Sequence, residues 1–198
     1  MAYAKPTLAT LKQSLADRKE GGELPTDADT LSLWVRTLNR GINYCIERLR
    51  IVTSTTLTTA SGTIALPDDF VLIDAVLDDG GSRLQQISFK DSVEAGGNVY
   101  WITGDFDSGF YLNTPEDAAY TVFYVQRPSP LVNDTDTSTF PDTEAIVAYA
   151  YGMLRKAESD PFEDSGYALA EADNRLREIQ SQYGLNDEEF QVKLQTNA

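Results

Sequence analysis

ADTLSLWVRTLNRGINYCIERLRIVTSTTLTT, residues 28–59, changes its period partway along. Over 28–50 the apolar residues Leu31, Trp34, Val35, Leu38, Ile42, Cys45, Ile46 and Leu49 recur at i, i+3, i+4 and i+7. Arg36, Arg40 and Glu47 fall on the opposite face. This is the pattern of an amphipathic helix, roughly 35 Å long at the usual rise per residue. From Ile51 onward Val, Thr and Ile take over, residues that suit a pleated strand. A long helix running directly into strand-forming sequence places two kinds of structure in series.

Working outward, Thr7 is positioned to cap a short helix through Lys19, with Leu8, Leu11 and Leu15 on one face and Gly21-Gly22 after it. Thr26 or Asp27 opens the long helix. Beyond it, strands are expected at Ile51–Thr59, Thr63–Ala65, Val71–Asp78, Leu84–Ile87, Tyr100–Thr103, Gly109–Leu112 and Tyr120–Gln126, separated by Asp, Gly and Asn turns. Ser88–Val93 reads as a helical turn. A polar connector, PSPLVNDTDTSTF at 128–140, leads to a helix near Pro141 with an Ala145, Ile146, Tyr149, Ala150, Met153, Leu154, Ala157 stripe. Asp160-Pro161 interrupts it. A last helix starts at Asp164 or Ser165, buries Leu169, Ala172, Leu176, Ile179 and Tyr183, and stops at Gly184.

The expected fold class is α+β. Helices 7–19, 28–50, 142–158 and 165–183 form a helical bundle, and a small antiparallel β-sandwich or barrel is inserted between its halves. The expected domains are 1–50 with 141–184 as the bundle body, 51–140 as the β insertion, and 185–198 as an extended C-terminal segment. There Phe190, Val192 and Leu194 alternate with Gln191, Lys193 and Gln195 at strand spacing.

Charge follows the same partition. Residues 1–50 carry 8 Lys/Arg and 6 Asp/Glu, a net of +2; residues 51–140 carry 3 and 13, a net of −10; residues 141–198 carry 5 and 12, a net of −7. The net −15 opposes tight nucleic-acid binding, which needs cations against phosphates. It suits solubility alone, or a wall past which DNA slides without sticking. No run approaches the roughly 20 apolar residues of a membrane span. Met1 to Pro6 lack the apolar core of a signal peptide, so cytoplasmic synthesis is expected.

The catalytic inventory is thin. The chain has no histidine, which removes Ser-His-Asp and Cys-His catalysis and histidine-ligated metals. The single Cys45 lies on the apolar stripe and forms no intrachain disulfide. No phosphate-binding GxxxxGK[ST] loop occurs. The pairs Asp68-Asp69, Asp78-Asp79 and Asp105/Asp107 have the chemistry of a general acid and base, but each adjoins a turn, where aspartate serves the backbone. Asp134 and Asp136 lack a complete calcium loop. Tyr100, Trp101, Phe106, Phe110 and Tyr111 read as core or subunit contact ahead of a sugar-stacking surface. No enzyme, cofactor or metal site is expected.

Several strings then occur in a telling order: Leu66-Pro67-Asp68-Asp69-Phe70 entering a strand, Tyr100-Trp101-Ile102-Thr103-Gly104, the Tyr-rich Tyr120–Val125 running to Pro128–Leu131, and Pro141-Asp142 ahead of AIVAYAYGMLRKAE, 145–158. Over roughly 20–183 this order resembles the head-to-tail adaptor, or neck, proteins of tailed bacteriophages. The resemblance implies a structural virion protein made in the host cytoplasm and located in the neck. It implies a homo-oligomeric ring, a dodecamer, docked below the portal protein and contacting a tail or nozzle protein. Such a ring extends the DNA channel and touches passing double-stranded DNA transiently, with no membrane involved. Phe190, Val192 and Leu194 are the expected portal-docking residues; Asp134, Asp136, Glu171 and Glu178 are the expected channel-lining acids. The alternatives are a tail-tube or tail-terminator subunit, which would be mostly sheet, and a carbohydrate-binding module.

Overall fold

The computed structural model describes residues 5–19, 21–94, 96–105, 107–158 and 162–182. Among them are four helices and seven strands: α1 (Leu8–Lys19), α2 (Ala28–Leu49), β1 (Val52–Thr58), β2 (Thr63–Ala65), β3 (Phe70–Leu77), β4 (Gln85–Gln86), β5 (Val99–Asp105), β6 (Gly109–Asn113), β7 (Ala119–Gln126), α3 (Thr143–Ala157) and α4 (Phe162–Gln182). The fold class is α+β, as expected. Contacts divide the chain into two units, Met1–Arg50 with Pro128–Ala198, and Ile51–Arg127.

In the helical unit, each of the first three helices starts on a side chain that satisfies free backbone N–H groups. Thr7 Oγ1 accepts from the Thr10 N–H at 3.2 Å. Asp27 accepts from Asp29 and Thr30, at 3.3 and 2.7 Å. Asp142 accepts from Ala145 at 2.9 Å, so the cap is Asp142 and Pro141 stands outside the first turn where the sequence suggested it. Helix α2 ends on Arg50, which adopts a left-handed conformation at φ 48° and donates its N–H to Glu47 O at 3.2 Å. Helix α4 begins at Phe162, not at Asp164 or Ser165. Ser165 is buried at the α3 contact instead of capping the helix.

Helix α3 is the centre of this unit and packs against α1, α2 and α4. Ala145, Ile146, Val147, Ala148, Ala150, Gly152 and Leu154 are all buried, so more than one of its faces is covered. Trp34, Leu38, Ile42 and Leu176, each no more than 2% exposed, pack in this unit's interior with Leu8, Leu11 and Leu15 of α1. Tyr149 is only half-buried, and its ring stacks on Tyr44 at 4.3 Å. Two glycines permit the approach of the helices. A Cβ on Gly41 would lie 2.9 Å from the Ile146 carbonyl, and one on Gly152 would lie 2.9 Å from Leu169 Cγ.

The connector 128–140 groups with the helices, whereas the expected bounds 51–140 included it in the β insertion. Leu131, Ser138 and Phe140 are buried. Asn39 of α2 clamps Leu131 from both sides, accepting its N–H at 2.8 Å and donating to its carbonyl at 3.0 Å. Leu8 and Ala9 donate to the Asp136 and Asp134 carbonyls. A few apolar anchors among polar residues are enough to dock such a segment.

The second unit holds two sheets, ordered β1-β7-β3 and β2-β6-β5-β4, over a shared core of Leu66, Phe70, Val76, Leu84, Tyr100, Leu112, Tyr120, Val122 and Tyr124. Pairing is antiparallel except that the two-residue β4 runs parallel to β5. The 3-10 turn Phe89–Glu94 lies in the crossover that brings the chain back to begin β5 in the same direction. Gly104, the last residue of the YWITG string, has φ +109°, and a Cβ there would sit 2.0 Å from the Gly109 carbonyl. Only glycine fits that hairpin.

Two outcomes follow from this packing. Gly41→Ala gains about 1 kcal/mol of helix propensity but overpacks the α2–α3 contact at a cost of about 1–3 kcal/mol, so thermal unfolding should show net destabilisation; Leu38→Ala, leaving a cavity, should cost about 2–5 kcal/mol. Residues 51–127 expressed alone should fold cooperatively on their own core, with dispersed amide resonances and a single unfolding transition.

Candidate interaction surfaces

Four of the eight cations in residues 1–50 are engaged by acids from the later part of the chain. Lys12 pairs with Asp134. Arg18 makes two contacts to Glu171, one of them 3.0 Å long. Lys19 meets Glu158 at 2.8 Å, and Arg48 meets Asp173 at 3.5 Å. Tyr44 donates its hydroxyl to Asp173 at 2.5 Å. Burial, then this hydrogen bond, pushes the Tyr44 hydroxyl up to about 12. Within the C-terminal half, Arg175 reaches Asp142 at 2.9 Å, Glu178 at 3.0 Å and Glu144 at 3.4 Å. Hydrogen bonds to Asp142 and Glu178 hold its guanidinium firmly protonated.

These contacts place the four acids singled out from the sequence. Asp134 and Asp136 lie in the connector beside α1; Glu171 and Glu178 share one exposed face of α4. Each has a partner within the chain. Asp136 accepts the Val132 and Asn133 N–H groups, both at 2.7 Å, and so closes its own loop. Phe190, Val192 and Leu194 lie outside the described residues, as do Phe106 and the Asp160-Pro161 break.

The acid pairs of the β unit serve turns. Asp69 accepts from Gln126 at 2.5 Å and Tyr124 at 3.3 Å, while its carbonyl takes the Arg127 N–H. The LPDDF string therefore ties the start of β3 to the end of β7. Asp78 accepts from the Ser82 N–H at 2.7 Å. Asp105 accepts from Ser108 and Asp107, which hold it below the ordinary carboxylate range. Such a carboxylate is a poor proton donor at neutral pH. Cys45 is buried, and burial pushes its thiol up, away from the reactive thiolate. Among the described residues no three His, Cys, Asp or Glu side chains group to hold a metal, and no helix is long and apolar enough to cross a membrane.

What stays open is surface. Tyr167, Ala170, Glu171, Asn174, Arg175 and Glu178 of α4, with Glu144 of α3, line an open groove of mixed charge, and Tyr167 is 75% exposed. Helix α2 presents Leu33, 40% exposed, beside the exposed Arg36 and Arg40. In the β unit Phe89 is 65% exposed, and Trp101 lines a shallow cleft with Thr63, Thr114 and Asp117. Tyr100 faces the core and Phe110 packs edge-on against Phe70 at 5.8 Å. The aromatic string thus divides between core and cleft.

A family model described as SU10 adaptor protein matches residues 6–191. The match spans almost the whole chain, and the chain belongs to this family of phage head-to-tail adaptors, which is structural and not a class of enzyme. Comparison with curated proteins gives no match.

Acid should loosen the helical unit. Hydrogen bonds from Asn133 and Val132 lower the Asp136 carboxyl, and the hydrogen bond from Arg18 lowers Glu171. A carboxylate depressed by folding stabilises fully above its unfolded value, here 3.8 for Asp and 4.5 for Glu. That stabilisation is lost as the pH falls through the lower folded value. The melting temperature should hold from neutrality to about pH 5 and drop below about pH 4. Glu171→Gln should lower the neutral plateau and shrink the acid drop; an unaltered drop would remove Glu171 from the cause.

Proposed function

We propose that the chain assembles into a closed ring of twelve copies beneath the portal vertex, extends the DNA channel and anchors the next tail or nozzle component. The match of residues 6–191 to the adaptor family carries this reading. The mixed architecture supports it over a tail-tube or tail-terminator subunit, which would be mostly sheet. Helices account for four of the described elements and form a unit of their own.

In this reading the helical unit builds the ring wall, and the β unit offers Phe89 and the Trp101 cleft to a tail component. The net charge of −15 keeps passing DNA mobile, because an acidic wall repels phosphate. That effect belongs to the whole charge, since Asp134, Asp136, Glu171 and Glu178 each have a partner in the chain. The segment 185–198 docks on the portal or on a neighbouring copy through Phe190, Val192 and Leu194. Burying three such side chains contributes roughly 4–8 kcal/mol before ordering costs. The ring sits in the virion neck after synthesis in the host cytoplasm.

Electron microscopy of the chain mixed with its portal tests the assembly. A coaxial ring on the portal is the expected result; a chain that stays monomeric beside intact portal contradicts the proposal. Deleting residues 185–198 should leave the melting temperature unchanged and weaken portal attachment by about tenfold or more. Equal attachment would end the docking role. The native ring should not retain duplex DNA at physiological salt.

A further inference from the structure

The two sheets of the β unit end in four edge strands, and three of them are guarded. Strand β2 has three residues and β4 two, too short to recruit a neighbour. Strand β3 carries Asp74 and breaks register twice against β7. Short edges, charges and bulges are the usual protection against further pairing. Strand β1, VTSTTLT, has none of these. Its seven residues include no charge, proline or glycine, and they pair with β7 in unbroken register.

The ladder decides which backbone groups β1 leaves open. Thr59 donates its N–H to the Ala118 carbonyl at 3.0 Å. Bonded pairs alternate in an antiparallel ladder, so Thr53, Thr55 and Leu57 bond β7, while Ser54, Thr56 and Thr58 turn their N–H and C=O groups outward. Among the described residues no hydrogen bond takes up these outward groups. The side chains of Thr53, Thr55 and Leu57 stand on the core face, level with Tyr124, Val122 and Tyr120, and are only half-buried. The seam beside them is open. On the β3–β4 side the two sheets are joined by the Leu77–Arg83 pair and by the Leu84 N–H on the Val76 carbonyl at 2.9 Å. On the β1–β2 side, backbone pairing among the described residues is confined to Ala60 and Thr63 at the turn.

Sixteen residues, 183–198, follow α4. Phe190, Val192 and Leu194 repeat there at the same period of two as Thr53, Thr55 and Leu57. Arg48, near the end of α2, meets Asp173, and Asp142 at the start of α3 binds Arg175. The chain therefore leaves α4 at the end of the helical unit where α2 leads into β1, and residues 183–189 can reach roughly 20 Å from there. We propose that residues 190–194 add a strand to the open edge of β1 in a neighbouring copy, with Phe190, Val192 and Leu194 closing the seam over Thr53, Thr55 and Leu57. Backbone pairing supplies the hold, and side chains at alternate positions supply the selectivity. Lending a terminal element to an identical copy joins two different surfaces, as a ring contact requires. The inference rests on the ring reading and names the seat of its C-terminal segment.

Photo-cross-linking in the full chain tests it. With p-benzoylphenylalanine in place of Thr56, the chain is assembled with portal and irradiated. A ladder of covalent oligomers beyond the dimer is expected on a denaturing gel, with the joined peptides falling within 185–198 by mass spectrometry. An intact ring whose cross-links join portal, another part of the chain or a chain to itself, or that gives none, overturns this pairing and leaves the ring standing. Failure of the native chain to form any ring overturns both. Separately, Thr56→Pro removes one outward N–H and leaves the β7 ladder whole, and Val192→Asp alters the other partner. Each should keep the monomer folded and raise the concentration needed for assembly by about tenfold or more. An unchanged concentration in either variant overturns the proposal.

Discussion

The helical unit depends on how closely three helices can approach a fourth. Helix α3 is covered by α1, α2 and α4, so its side chains must be small where backbones converge. Ala145, Ala148, Ala150 and Gly152 meet that requirement from its own side, and Gly41 meets it from α2. Packing at this range is intolerant of added volume, because interiors are as dense as organic crystals. The arrangement also joins the two ends of the chain. Helices α1 and α2 touch each other but pack chiefly against α3, which follows the β unit in sequence, so the helical body is built from both halves of the chain.

The uneven charge along the sequence gains a use inside the chain. The basic N-terminal helices meet the acidic later segments at Lys12–Asp134, Arg18–Glu171, Lys19–Glu158 and Arg48–Asp173. Exposed pairs of this kind contribute little each, about 0–1 kcal/mol. Their value lies in selecting which helix faces meet, since a wrong register sets like charges together.

Much of this was legible in the sequence because period and caps are local. The stripe of Trp34, Leu38 and Ile42 predicts α2 closely, and Thr7 and Asp27 predict where two helices begin. The strings LPDDF and YWITG also have physical grounds, a carboxylate tie from Asp69 and a glycine-only hairpin at Gly104. What was not legible depends on distant partners. Leu131 and Phe140 look like loop residues until Asn39 and the helices close over them. Gly41 looks like a weak point in a helix until Ile146 is opposite it. No stop signal marks Arg50, a left-handed residue that is neither Gly nor Asn. The candidate surface acids could be named from the sequence, but not the cations and backbone N–H groups that hold them.

The first and last strands of the β unit, β1 and β7, pair along their length, with Val52 opposite Val125 and Thr58 opposite Ala119. The excursion is thus closed by its own ends and can finish as soon as β7 exists. Helix α2 is less fortunate in time. A ribosome adding about 5–20 residues per second needs on the order of 5–20 s to pass from the end of α2 to the start of α3. Through that interval the stripe of Trp34, Leu38, Ile42 and Ile46 has left the ribosome without its partner, while the β unit folds ahead of it. The apolar face of α2 must therefore wait through that interval for α3, a cost in time that the stability of the finished protein does not reveal.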